Sequence, residues 1–199
     1  CHSNATGEST EGNFNPFSWY SLPWDVVKVD DKGNPTPFAN QGGGWGMVFN
    51  ISKHFYDTFE QGDKRAETII TQYYSFMNGW VTEKELGNRW DGFIINKYPI
   101  ESATSFQGTD IPLARWADAL MLYAEADVRA HNAVSQSAID CVNKVRNRAG
   151  LPNLSADKTA TVNDFLDALL TERGHELYYE GCRKVDLIRF NKYYTIMNK

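Results

Sequence analysis

The sequence predicts a mainly α-helical fold with irregular and short β segments, and three observations point there. Residues 111–190 hold three successive stretches with apolar residues at helical spacing, each with start and stop signals. Residues 66–100 hold short runs of β-branched and aromatic residues beside Asn-Gly and Asp-Gly turn pairs. Residues 1–50 are rich in Gly, Asn, Ser, Pro and aromatics, without sustained periodicity. One domain is the default for 199 residues. Within it the expected division is a loop-rich, aromatic-rich, ligand-facing region with short strands at 1–110 and a helical scaffold at 111–199.

Taken in order, Val26, Val27 and Val29 suggest a short strand, and residues 31–37 and 41–46 are turn and loop material. Phe55, Tyr56 and Phe59 suggest a short helix capped by Ser52 and stopped by Gly62. Residues 68–76 and 93–98 are β-like, with Asn78-Gly79 and Asp91-Gly92 supplying turns.

The next helix is expected to be capped by Asp110, with Pro112 in its first turn and a stripe at Leu113, Trp116, Ala117, Leu120 and Ala124. Ser135 or Ser137 starts its partner, which faces Ala138, Val142, Val145 and Ala149 inward and stops at Gly150-Leu151-Pro152. Length and texture of residues 111–150 fit one tetratricopeptide-type hairpin, which cannot bury its faces alone. Thr161 and Asp164 resemble a capping box launching a terminal helix over residues 161–190. Gly174 inside it costs about 1 kcal/mol relative to Ala, so a local packing reason is expected.

A net charge of −5 argues against a nucleic-acid partner, which needs a basic surface to displace condensed counterions. No apolar run approaches the roughly 18 to 20 residues that span a bilayer. No basic start followed by a hydrophobic stretch opens the chain, so no secretory signal is expected within it. Cys141 and Cys182 read as buried free thiols; Cys1 stands where either an acylation site or a chain boundary would leave one. No cofactor is indicated, and the wide cysteine spacing does not make a zinc site.

Catalytic motifs are near misses. Residues 175–179 read HELYY, with Tyr179 where a zinc protease needs its second His. Residues 41–46, QGGGWG, lack the ending of a phosphate loop. Asp30 and Asp31 are adjacent, and adjacent carboxylates seldom flank one glycosidic bond. The aromatics are more informative. Trp19, Tyr20, Trp24 and Trp45 lie in loop-like sequence, with Asn40 and Gln41 nearby as hydrogen-bonding groups, and Tyr73, Tyr74 and Trp80 form a second cluster. Rigid rings supply contact area at low entropic cost and pack on the flat C–H faces of sugars.

Several strings together resemble the C-terminal half of the SusD/RagB family of glycan-capturing surface lipoproteins. They are LMLYAEA at 120–126, which holds Glu125, and VRNRAGLP at 145–152, which holds Arg146. Glu172, Arg173, Glu176, Glu180, Gly181, Arg183, Asp186 and Arg189 follow, and upstream come Asp63 and Arg65 in FEQGDKR at 59–65, with Gly44-Trp45 before them. The resemblance covers about residues 40–195. Gly174 departs from it, standing where the family usually has a charged residue.

The resemblance implies a SusD-like C-terminal part in which those charged residues are structural, with Glu180–Arg183 and Asp186–Arg189 pairing along one helical face. It also implies a non-catalytic glycan binder at the outer-membrane surface, acylated and seated on a SusC-like TonB-dependent porin. The family's long N-terminal half is not seen, so the chain looks like a C-terminal fragment, a truncated reading frame or a cleaved product, with the missing N-terminal half as a further partner. A protein-interaction module built on the hairpin and a glycoside hydrolase are the alternatives.

Overall fold

The computed structural model describes residues 16–40, 42–88, 92–98 and 110–198. Cys1, Gln41 and Asp91 lie outside the described residues. The chain divides into two compact units, residues 1–59 with 66–111, and residues 60–65 with 112–199. The short segment 60–65 groups with residues 112–199.

The first unit holds α1 (Phe17–Ser21), β1 (Asn50–Ile51), α2 (Lys53–Tyr56), β2 (Ile69–Ile70), β3 (Tyr73–Ser75), β4 (Gly79–Val81), α3 (Glu83–Asn88) and β5 (Phe93–Ile95). β5 is the centre of an antiparallel sheet ordered β1-β5-β2, with Ile51 opposite Phe93 and Ile70 opposite Ile94. All three β5 residues are buried, as a covered central strand requires. Gly92 leads into it at φ +67°; a Cβ there would lie 2.3 Å from the Ile51 carbonyl oxygen, so only glycine fits. β3 and β4 form a hairpin in which Tyr73, Tyr74 and Ser75 oppose Val81, Trp80 and Gly79.

Val26 and Val29 make isolated bridges, to Ser75 and to Pro35, and not the expected short strand. Gly33 and Pro35 turn the chain before a ladder can extend. Ser52 caps α2 by accepting from the Phe55 amide at 3.2 Å. Leu22, Phe38, Leu86, Phe93 and Ile94 have no exposed surface and form the core of this unit.

The second unit holds α4 (Trp116–His131), α5 (Gln136–Arg148), α6 (Val162–Leu177), α7 (Arg183–Arg189) and α8 (Tyr193–Met197). α4 and α5 form the expected hairpin, joined through Asn132 in the left-handed region and Ser135, whose hydroxyl caps α5 at the Ala138 amide. Ala117, Leu120, Met121, Ala124 and Val128 of α4 pack with Ala138, Val142 and Val145 of α5 and Phe165, Leu169 and Leu170 of α6. At the end of α5 Gly150 has φ +87°, and the Leu151 amide returns to the Arg146 carbonyl, a Schellman closure. Lys64 donates its amide to Ala149 at the same place, which docks segment 60–65 on the end of α5.

Two expectations are corrected here. α4 starts at Trp116, not near Asp110, because Arg115 is in extended backbone and its guanidinium is committed to Glu176 and Glu180. Leu113 and Trp116, placed on the inward stripe, are 82% and 74% exposed. The terminal helix is also not continuous over 161–190. It breaks after Leu177, where Tyr179 (φ +63°) and Gly181 (φ +81°) take left-handed backbone that a right-handed helix cannot contain.

Candidate functional site

The family-like charged residues form two buried ion-pair networks in the helical unit. Asp63 receives Arg65 through Nε at 2.8 Å and Nη2 at 2.6 Å. Arg65 Nη1 also reaches Glu172 at 2.5 Å. Arg146 bridges Glu172 (3.0 Å), Glu60 (2.7 Å) and the Pro152 carbonyl (2.9 Å). Glu176 takes Arg115 at 2.5 Å and Arg148, and Arg115 continues to both oxygens of Glu180 at 2.8 Å. In the second network Arg173 joins Asp186 (2.9 Å) to Asp118 (2.8 Å), and Arg189 joins Asp186 (2.5 Å) to Glu125, which also takes Arg129.

The expected Asp186–Arg189 pair is therefore present. Glu180 is instead engaged with Arg115, while Arg183 donates to the Leu170 carbonyl at 2.9 Å, because the break at Tyr179–Gly181 takes the two off one helical face. Nor are these weak surface pairs: Asp63, Glu172, Arg173, Glu176 and Asp186 are at most 4% exposed.

Burial pushes the Glu172 carboxyl up, against the pull of Arg65 and Arg146. Burial also raises Glu176, but hydrogen bonds from Arg148 and Arg115 outweigh it and hold that carboxyl below its usual range. His175 is 2% exposed; burial, with Arg65 beside it, lowers it to about 4. It is a neutral interior side chain. Asp30 is a turn residue, with Oδ1 accepting from the Lys32 and Asn34 amides and Oδ2 from the Asn34 side chain. The Asn34 bonds hold its carboxyl below the usual range, the opposite of what a general acid needs. Cys141 and Cys182 are half-buried free thiols, both pushed up by burial.

The second unit also contains a cleft of about 650 Å³ whose lining includes Glu60, Arg146, Asp157, Lys158 and Glu172. Arg146, Glu60 and Glu172 are already committed to one another.

The aromatic candidates lie in the first unit, where backbone bonds stitch residues 44–49 to residues 19–23. Trp45 donates to the Trp19 carbonyl (2.6 Å), Gly44 to Pro23 (2.9 Å), Gly46 to Leu22 (3.1 Å) and Val48 to Tyr20 (2.7 Å). That approach needs glycine: a Cβ on Gly44 would sit 2.4 Å from the Trp19 oxygen, and one on Gly43 2.5 Å from the Pro23 oxygen. The result holds Trp45, 64% exposed, stacked on Tyr20 at 5.8 Å, with Phe49 edge-on to Tyr20 at 6.3 Å. Gly46, next in the chain, faces the Trp24 indole, so Trp24 lies alongside.

Trp24 is 56% exposed and meets Phe76 edge-on at 5.3 Å. On the hairpin, Tyr74 and Phe76 face outward while Tyr73 and Ser75 face inward, by strand alternation. Trp80 opposes Tyr74 across the ladder, and their rings meet edge-on at 5.7 Å. The ring pairs Tyr20–Trp45, Trp24–Phe76 and Tyr74–Trp80 thus make a broken strip, and Val48, Phe49 and Met77 of the same segments are exposed.

The sequence candidates fall out unevenly. Tyr20, Trp24, Trp45, Tyr74 and Trp80 come together in the strip. Trp19 is half-buried behind it, Asn40 is exposed, and Gln41 lies outside the described residues. Tyr73 is corrected: at 4% exposure its ring packs edge-on against Phe38, and its hydroxyl donates to Asp25, so it offers no face to a ligand. Phe49 and Phe76 were missed; period-two alternation from Tyr74 ahead of the Asn78-Gly79 turn would have found Phe76. Chemically the strip offers flat apolar faces in fixed planes, suited to contact and not to bond-making.

An ion-paired helical unit and an irregular, ring-rich unit on short strands define a non-repetitive, mainly α protein. The chain belongs to the SusD family, whose pattern matches residues 30–199. It is 30% identical over 172 residues to a SusD-like protein of Formosa agariphila, an overlap covering 81% of this chain and 32% of that one. It is 34% identical over 107 residues to the starch-binding protein SusD of Bacteroides thetaiotaomicron, covering 54% of this chain and 17% of that one. The chain thus spans less than a third of either curated relative. A solved SusD homolog from Bacteroides thetaiotaomicron, 17% identical, superposes on 99% of this chain and 41% of its own with a TM-score of 0.68.

Proposed function

We propose that this chain is the glycan-contacting C-terminal part of a SusD-family surface protein, which captures oligosaccharide without cleaving it. The observation that carries this reading is the set of ring pairs, with Trp24, Trp45, Phe76 and Trp80 exposed, held by the stitched segment 44–49 and the β3–β4 hairpin. Sugar C–H faces pack on such rings, while rim groups such as Asn40 bond hydroxyls. Family membership and the starch-binding relative support the same ligand class. In the full protein the captured chain passes to a TonB-dependent outer-membrane porin, and the protein is held at the outer membrane by an acyl anchor. No helix among the described residues is long and apolar enough to cross a membrane, which fits an anchor outside these helices.

The helical unit has a different partner surface. Leu113 and Trp116, with Leu122 and Tyr123 further along α4, are exposed on the hairpin. We assign that surface to the family's N-terminal half, because α5 and α6 cover the inward stripe of α4 and leave these apolar residues open.

Affinity electrophoresis through gels containing amylopectin, xyloglucan or laminarin, followed by calorimetry, tests the capture surface. Trp45→Ala and Trp24→Ala are expected to weaken binding about three- to tenfold each, the range for a lost ring contact. Unchanged binding in both variants would remove the strip as the site. Release of reducing ends from the bound glycan over hours would favour a hydrolase instead.

A further inference from the structure

We propose that Asp25 and Ser75, both buried, are positioning residues that set the plane of Trp24 for the ligand, with Phe76 as the ring it packs against. This deepens the capture reading above and rests on it. Asp25 is 6% exposed and Ser75 has no exposed surface. Asp25 Oδ2 accepts from the Ser75 hydroxyl at 2.5 Å, and Oδ1 accepts from the Tyr73 hydroxyl at 3.2 Å. The Ser75 oxygen in turn accepts the amides of Met77 (3.0 Å) and Asn78 (3.1 Å), which form the turn between β3 and β4. Backbone bonds complete the clamp: Phe76 donates to the Asp25 carbonyl at 3.0 Å and Val27 to Tyr74 at 3.2 Å.

The two rings flank this clamp directly. Trp24 is one residue before Asp25, and Phe76 one residue after Ser75. Both rings are more than half exposed, so their mutual edge contact alone leaves much rotamer freedom on the solvent side. A carboxylate only accepts, and it therefore directs the proton of each hydroxyl toward itself. With its single proton spent on Asp25, Ser75 keeps both lone pairs for the turn amides. Asn at position 25 would present an NH2 to one of the two hydroxyls. That hydroxyl must then turn away, and if it is Ser75 the turn loses an acceptor.

Asp25→Asn and Ser75→Ala separate this role from general support of the fold. Each is made in the wild-type chain and in the Trp24→Phe and Trp24→Ala backgrounds. The near-ultraviolet circular dichroism difference against Trp24→Phe isolates the Trp24 signal, and the far-ultraviolet spectrum reports retained helix. Expected are a collapsed Trp24 signal in both variants, unchanged helix, and affinity for the gel glycan down about fivefold or more. In the Trp24→Ala background the same changes should cost less than about 1.5-fold, because residues acting through one ring are not additive.

Equal losses in both backgrounds would make Asp25 and Ser75 general framework and overturn the proposal. So would an intact Trp24 signal, or a collapsed signal with undiminished affinity. If no glycan retards the wild-type chain, the capture reading fails, and the Trp24 signal still decides whether the clamp sets the ring.

Discussion

Gly44 shows how much of the surface depends on a missing side chain. Its Cβ position lies 2.4 Å from the Trp19 carbonyl oxygen and 2.6 Å from that of Leu22. Neither backbone group can move without breaking the stitching that places Trp45 over Tyr20. Gly42, two residues earlier, has nothing within 4 Å of the same position. Gly44→Ala is therefore expected to destabilise the fold by about 1–3 kcal/mol, as overpacking does. Gly42→Ala should be neutral or stabilising by up to about 1 kcal/mol through the unfolded chain. Urea denaturation followed by tryptophan fluorescence measures both, and equal effects would contradict the close approach. The glycine run was visible in the sequence, but which glycine is required depends on a contact with residues 19–22. Tyr73 and Tyr74 make the same point: adjacent strand residues face opposite ways, and only the hairpin register decides which ring reaches solvent.

At the level of elements, local signals were legible and long-range ones were not. Ser52 and Thr161 cap their helices as expected, and Ser135, one of two candidates, caps α5, because a cap bonds to an amide three residues away. The break between α6 and α7 was missed because apolar spacing continues through Leu177 and Leu187, while Tyr179, a non-glycine, takes the left-handed turn. The charged motif residues were found, but their bonding was not, since Arg65–Glu172 and Arg115–Glu176 are separated by 107 and 61 positions.

That distinction has a measurable consequence for how the elements are held. Removing Arg65 leaves Asp63, at 4% exposure, without that cation and Glu172, at 2%, with Arg146 alone. Arg65→Met is expected to cost about 3–5 kcal/mol, the penalty of an uncompensated buried charge. Lys53 and Asp57 on α2 also pair at 2.6 Å, but their side chains are 46% and 51% exposed. Lys53→Ala should cost no more than about 1 kcal/mol. Equilibrium unfolding of the two variants compares them directly, and similar losses would argue that the interior network is dispensable.

For the whole molecule the same interior sets the response to acid. Burial, with Arg65 alongside, holds His175 down at about 4, against an ordinary value near 6.5. The unfolded chain therefore takes up a proton between about pH 6.5 and 4 that the folded chain refuses, and stability falls as pH drops through that window. Asp63, Glu60 and Glu176 are all held below their usual range. For Glu60 the Arg146 hydrogen bond is the main cause; for Asp63 and Glu176 burial opposes, and the arginine bonds outweigh it. Their stabilising contributions are present above the ordinary carboxylate range and are lost as pH falls below it. Glu172 works the other way, because burial raises it and the folded chain accepts its proton first, which blunts the loss. The Glu172 offset acts above the ordinary carboxylate value, so it opposes His175 within the same window and lowers the net slope there. Unfolding free energy is expected to fall by up to about 1.4 kcal/mol per pH unit between pH 6 and 4.5, the slope for one proton. His175→Gln should flatten that segment while leaving the steeper loss below pH 4. An equally steep slope from pH 6 to 4.5 in the variant would move the acid sensitivity off His175 and onto the carboxylates alone.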